Sequence, residues 1–156
     1  MTPPPPGPRR GALRSIVSIA SLALLPPAGA TPATLSAAIA AFTGGVAPTE
    51  GGMRLEVPEL VENGNSVPLR VSVDSPMTEA AHVRRIAVFN EKNPQPQVAV
   101  FRLGPRSGVA RVGTRMRMAD SQRIVAVAEL SDGSFRQHAV DVIVTLAACI
   151  ETEGGG

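Results

Sequence analysis

Aromatic side chains are scarce in this chain, whose 156 residues include four Phe and neither Trp nor Tyr. Any core must therefore be packed from Val, Ile, Leu, Met and Ala. There is a single cysteine, Cys149, which excludes an intrachain disulfide. With only His82 and His138 available as imidazole donors, a zinc site is disfavoured and no metal ligand is expected. Both histidines read as surface or strand residues. No apolar run approaches the roughly 20 residues that a membrane-spanning helix needs. The stretch from Ser15 to Leu25 has 11 residues, so no membrane span is expected. No Ser/His/Asp grouping stands out, and no glycine-rich loop joins a strand to a helix. A hydrolase or nucleotide enzyme is thereby disfavoured, and neither catalytic nor cofactor-binding residues are expected.

Negative charge is missing from the first thirty residues, which carry Arg9, Arg10 and Arg14 and no carboxylate. The basic residues, the short apolar stretch and Ala28-Gly29-Ala30 together predict a cleavable export signal over residues 1–30. The arginine pair points to the twin-arginine route, with ordinary Sec export as the alternative. Removing this segment takes away three of fifteen basic residues and none of thirteen acidic ones, leaving 12 − 13 = −1. The basic character of the full sequence thus resides in its leader and gives no support to nucleic-acid binding.

From Thr31 the pattern is helical. Thr31 can cap, Pro32 suits the first helical position, Gly44 or Gly45 can end the helix, and Leu35, Ile39 and Phe42 form one stripe. From Gly52 onward the period becomes alternating. Strands are predicted over Met53–Val57, Val67–Val73, Val83–Phe89, Val98–Leu103, Gly108–Met118, Ile124–Leu130 and Phe135 to about Leu146. Asn63-Gly64-Asn65 and Ser131-Asp-Gly-Ser134 read as turns, and Pro94 and Pro96 keep the loop between the third and fourth strands extended. Arg111, Arg115 and Arg117 alternate with Val112, Thr114 and Met116, lining one edge with guanidinium groups. That stripe reads as a solvated edge that blocks stray pairing, or as a docking patch for acidic groups. The predicted fold is all-β: an antiparallel sandwich preceded by one short helix, with a small barrel as the alternative.

Glu59-Leu-Val-Glu-Asn-Gly-Asn-Ser-Val-Pro68, Val73-Asp-Ser-Pro-Met77, Val88-Phe-Asn-Glu-Lys-Asn-Pro94 and Glu129-Leu-Ser-Asp-Gly-Ser-Phe135 closely resemble the SoxY family, in the same order, over about residues 38–146. SoxY is the covalent sulfur-carrier subunit of the bacterial periplasmic thiosulfate-oxidising system. The resemblance implies an immunoglobulin-like sandwich that pairs with a second sandwich subunit, SoxZ, and a C-terminal arm whose cysteine holds sulfur. Partner enzymes would load thiosulfate, hydrolyse off sulfate and oxidise the bound sulfur, so the carrier itself would be no enzyme and need no cofactor. Cys149 is the residue that matches the sulfur-bearing cysteine.

The division that follows is a signal over 1–30, a sandwich with its helix over 31–146, and an arm over 147–156. The family's arm is Gly-Gly-Cys-Gly-Gly, thin and free to bend. Here Cys149 sits between Ala147-Ala148 and Ile150-Glu151-Thr152-Glu153. Ile150 is wide and stiff, and the glutamates oppose thiolate formation and repel an anionic cargo. A SoxY-like scaffold subunit whose arm carries no sulfur is therefore the alternative function, and a buried strand-end cysteine is what the residues alone would suggest.

Overall fold

The computed structural model describes residues 1, 2 and 31–146; the predicted signal and the arm with Cys149 lie outside the described residues. One helix, α1 (Pro32–Thr43), precedes nine strands: β1 (Thr49–Glu50), β2 (Met53–Glu56), β3 (Leu60–Val61), β4 (Val67–Val73), β5 (Val83–Asn90), β6 (Gln97–Arg102), β7 (Arg111–Met116), β8 (Gln122–Leu130) and β9 (Phe135–Val144). The larger sheet has the order β1-β9-β8-β5-β6, with β3 also on β9; the smaller has the order β2-β4-β7. The two sheets close on Leu55, Val67, Val71, Ile86, Val88, Met118, Ile124 and Val142, all nearly or wholly buried. This is a β-sandwich, and its core is aliphatic as the composition requires.

The expected helix forms with the expected ends. The Thr31 hydroxyl accepts the Thr34 amide, the Thr34 hydroxyl accepts the Thr31 amide in return, and Gly44 ends the helix in the left-handed region at φ 63°. Its stripe covers the outer face of the large sheet, so β5 and β8 are buried on both sides. Leu35, Ile39 and Phe42 lie over Ala87, Phe89, Val125, Val127 and Phe135. Three of the four phenylalanines meet here, with the Phe42 ring edge-on to Phe89 at 5.8 Å and to Phe135 at 6.1 Å. The Arg85 guanidinium stacks 4.5 Å above Phe42 and is tied to Glu129.

The expectation of a wholly antiparallel sandwich is corrected in one place. β1 and β3 both run parallel to β9, at Thr49↔Arg136 and Leu60↔Ile143. Residues 49–61 form one run that pairs with β9 at each end and crosses to the other sheet in the middle, as β2. Gly51 and Gly52, at φ 97° and 68°, make the outward turn. The returning chain passes Pro58, which has no N–H to lose. In the gap so opened, His138 on β9 accepts the Leu55 amide on its Nδ1 at 3.2 Å, joining the two sheets. Alternation could not reveal this, because a residue's period reports its face and not its partner's direction.

Two strands are shorter than predicted. The first residues of Gly108–Met118 are taken by a turn that leaves Gly108 at φ 74°, and the Met118 amide leaves the ladder for Gly64. β9 ends at Val144 because Thr145 and Leu146 bond to the 61–64 segment instead. The Ser131–Ser134 hairpin forms as expected, with Gly133 at φ 83°. The Asp132 carboxylate accepts the Ser134 hydroxyl and amide, which hold its pKa below the usual carboxylate value.

Candidate functional site: the base of the arm

Cys149 lies outside the described residues, so the described part of the site is the platform from which it extends. That platform is built by backbone bonds. The Ile143 amide donates to Glu59 O at 2.8 Å, Thr145 to Val61 O at 2.9 Å, and Gly64 to Leu146 O at 2.8 Å. The Thr145 hydroxyl adds a bond to Glu62 O at 3.2 Å. The Asn63-Gly64-Asn65 turn is therefore a clamp, since Gly64 also accepts the Met118 amide at 2.8 Å. The chain is held through Leu146, and Cys149 follows three residues later, within about 10 Å of the last bonded residue if extended.

Behind the clamp stands a network of side-chain amides. Asn93 donates to Arg117 O at 2.7 Å and accepts from the Ala119 amide at 3.1 Å and the Gln122 side chain at 2.8 Å. Gln122, buried, also accepts the Lys92 amide at 2.9 Å. Asn90, buried, folds the following loop by donating to Gln95 O at 2.7 Å and accepting the Asn93 amide at 2.8 Å. Lys92 reaches Asp120 at 3.0 Å, and that hydrogen bond leads the causes that lower the Asp120 pKa. Ser121 finishes the link to the arm, its hydroxyl accepting the Val144 amide at 2.9 Å. The loops 90–97 and 117–122 are thus fixed to the last residues of β9.

None of Asn90, Asn93, Gln122, Ser121 or Gly64 carries a role that sequence reasoning assigned. Asn93 and its neighbours read there as a polar, proline-containing loop; their only signal was a side-chain chemistry unusual for the ends of buried strands. Because Asn93 satisfies three partners at once, Asn93→Ala is expected to cost about 2 kcal/mol, read as a lowered urea midpoint at constant m-value. The substitution leaves Gln122 short of a partner, and a loss near zero would mean that the network has no bearing on the platform.

The other residues singled out in the sequence are separated in space. His82 sits at the β5 entrance with its Nδ1 3.1 Å from Thr78 O, and His138 is engaged between the sheets. No group of three His, Cys, Asp or Glu able to hold a metal occurs among the described residues. Nor is any helix among them long and apolar enough to cross a membrane. Arg111 and Arg115 do line the free edge of the small sheet on β7, with Arg117 just beyond its end. Around the exit of the arm three large apolar side chains are exposed: Leu60 at 61%, its cross-strand partner Ile143 at 60% and Leu146 at 68%.

Comparison with known proteins agrees with this layout. The model of the family described as sulfur oxidation protein SoxY matches residues 39–149, so the match runs through the whole sandwich and ends on Cys149. No curated protein matches the chain at a significant level. Among solved structures, superoxide reductase (neelaredoxin) from Ignicoccus hospitalis is similar with a TM-score of 0.54 at 18% identity, over 74% of this chain and 94% of that one. Superoxide reductase from Nanoarchaeum equitans is similar with a TM-score of 0.52 at 9% identity, over 61% and 98%. At such identities the likeness is one of fold alone.

Proposed function

This chain belongs to the SoxY family of sulfur oxidation proteins, and from that membership we propose that it is a periplasmic carrier that holds sulfur intermediates covalently on Cys149. The observation that carries the reading is that the family match ends on the only thiol of the chain. That thiol follows a platform that is hydrogen-bonded through Leu146 and buttressed by Asn93 and Ser121. A carrier needs this combination: a rigid base that partners can recognise and a short reach beyond it.

In the proposed cycle, the Cys149 thiol and thiosulfate lose one proton and two electrons to a loading enzyme, and a sulfur–sulfur bond forms between them. Water then cleaves the bond to the terminal sulfonate, releasing sulfate and a proton and leaving a persulfide for further oxidation. The electrons go to the partner enzymes, and this chain supplies no catalytic group and no cofactor. Export through residues 1–30, most simply by the twin-arginine route, belongs to the same reading. So does an immunoglobulin-like pairing with a SoxZ-like subunit, for which Leu60, Ile143 and Leu146 offer exposed apolar surface beside the arm.

Ala147, Ala148, Ile150, Glu151 and Glu153 replace the family's glycines and favour a second reading, a scaffold subunit that binds the same partners without carrying sulfur. Intact-mass measurement separates the two. From cells grown on thiosulfate, the exported protein is expected to carry a reducible sulfur-containing adduct that maps to Cys149. A bare thiol, under conditions that load a family member with the glycine arm, would leave the scaffold reading.

A further inference from the structure

The outer face of the small sheet is strongly one-signed. Arg54, Arg70, Arg111, Arg115 and the neighbouring Arg117 share it with one carboxylate, Glu56, a balance of 5 − 1 = +4. Glu56 is taken up by Arg54 at 3.4 Å and Arg70 at 3.7 Å. Arg111, Arg115 and Arg117 have no carboxylate within bridging distance among the described residues. A strand edge guarded against stray pairing would account for these arginines. It would not account for what lies between them.

Gly113 sits between Arg111 and Arg115 in the middle of β7, opposite Arg70. Glycine weakens a strand, and nothing local demands it here. Its φ is outside the left-handed region, and an added Cβ would meet nothing nearer than Leu69 O at 3.6 Å, an ordinary contact. What the missing side chain does is open a groove of about 720 Å³, floored by Leu69, Gly113 and Thr114 and rimmed by Arg70 and Arg115. A bare strand backbone between guanidinium groups suits the close approach of another extended chain bearing carboxylates.

Such a chain starts nearby. Gly64 bonds Leu146 on one side and Met118 on the other, so the arm leaves from the end of β7. Counting back from Met118, Arg115 is three residues away, Gly113 five and Arg111 seven; counting forward from Leu146, Glu151 is five and Glu153 seven. At about 3.4 Å per residue the two spans match, near 17 and 24 Å. The nearest competing carboxylates, Glu59 and Glu62, lie on the segment that holds the base and not on β7.

We propose that the arm of this chain folds back along β7, setting Glu151 and Glu153 against Arg115 and Arg111 over Gly113, and so parks Cys149 against the sandwich. The substitutions that distinguish this arm from the family's glycine arm are then a latch, opened by a partner that competes for the arginines. The latch does not depend on whether the thiol carries sulfur.

The lone cysteine allows a direct test. A nitroxide on Cys149 of the nitrogen-15-labelled protein is expected to broaden the amides of Leu69, Gly113 and Thr114 while sparing Ala99 and Val100 on β6. The contrast should be about twofold or more at 0.01 M salt, where the screening length is about 30 Å, and vanish at about 1 M, where it is about 3 Å. Glu151→Gln with Glu153→Gln should remove it without touching the sandwich. Gly113→Leu should remove it with every charge in place. Equal broadening on β7 and β6, or a contrast that survives the salt or the paired Gln substitutions, overturns the latch. Broadening transferred from a spin-labelled chain to a separate nitrogen-15-labelled chain would assign the groove to a second copy and also overturn it.

Discussion

Cys149→Ser is expected to abolish the sulfur adduct completely while leaving the sandwich and its partner binding intact. The separation is physical. The described fold ends its hydrogen bonding at Leu146, and nothing in the core or the Asn93 network involves residue 149. Serine is close to cysteine in size but its hydroxyl is far too basic an anion to serve as the thiolate does in exchange chemistry. The check is intact mass after exposure to thiosulfate and the loading enzyme, together with a urea melt. An adduct retained by the serine variant would place the chemistry elsewhere. A large fall in stability would instead mean that the cysteine is a packed strand-end residue. The two readings of that residue therefore predict opposite pairs of results.

Phe89→Ala should give the largest loss of stability, about 3–5 kcal/mol, because a fully buried ring is removed from under a helix that cannot readily follow it down. Against a total of about 5–15 kcal/mol for a domain of this kind, that change is severe. The loss should appear as a lower urea midpoint and as earlier proteolysis of α1, since Phe42 loses one of its two edge-on ring partners. A loss under about 1 kcal/mol would mean that the helix is not docked on the sheet in solution. The aromatic poverty of the chain sharpens this prediction: the single Phe outside the cluster, Phe101, packs on the other face and cannot compensate.

The site was only partly legible in the sequence. Cys149 stands out because it is the sole thiol, and Arg111, Arg115 and Arg117 because their alternation with Val112, Thr114 and Met116 fixes their face. Asn93, Gln122 and Ser121 gave no such signal. Their partners are 24 to 29 residues away or backbone atoms of other strands, and a polar side chain in a loop carries no period from which a distant contact can be read. Gly64 was readable as a turn residue but not as the joint between Leu146 and Met118, for the same reason.

What the sequence determined by itself is local. The α1 ends follow from Thr31, Pro32 and Gly44, and the inward faces of β4, β8 and β9 from their alternation or apolar runs. The aliphatic core follows from the absence of Trp and Tyr. Each rests on a residue's own backbone preference or on which side of a strand it points. What only the tertiary structure decided is pairing: the crossing of residues 49–61 between sheets, the helix laid over Phe89, and the clamp at Gly64 that sets the arm beside β7. Those choices depend on which of several equally patterned strands come together, and the free energy that selects among them belongs to the packed whole rather than to any single segment.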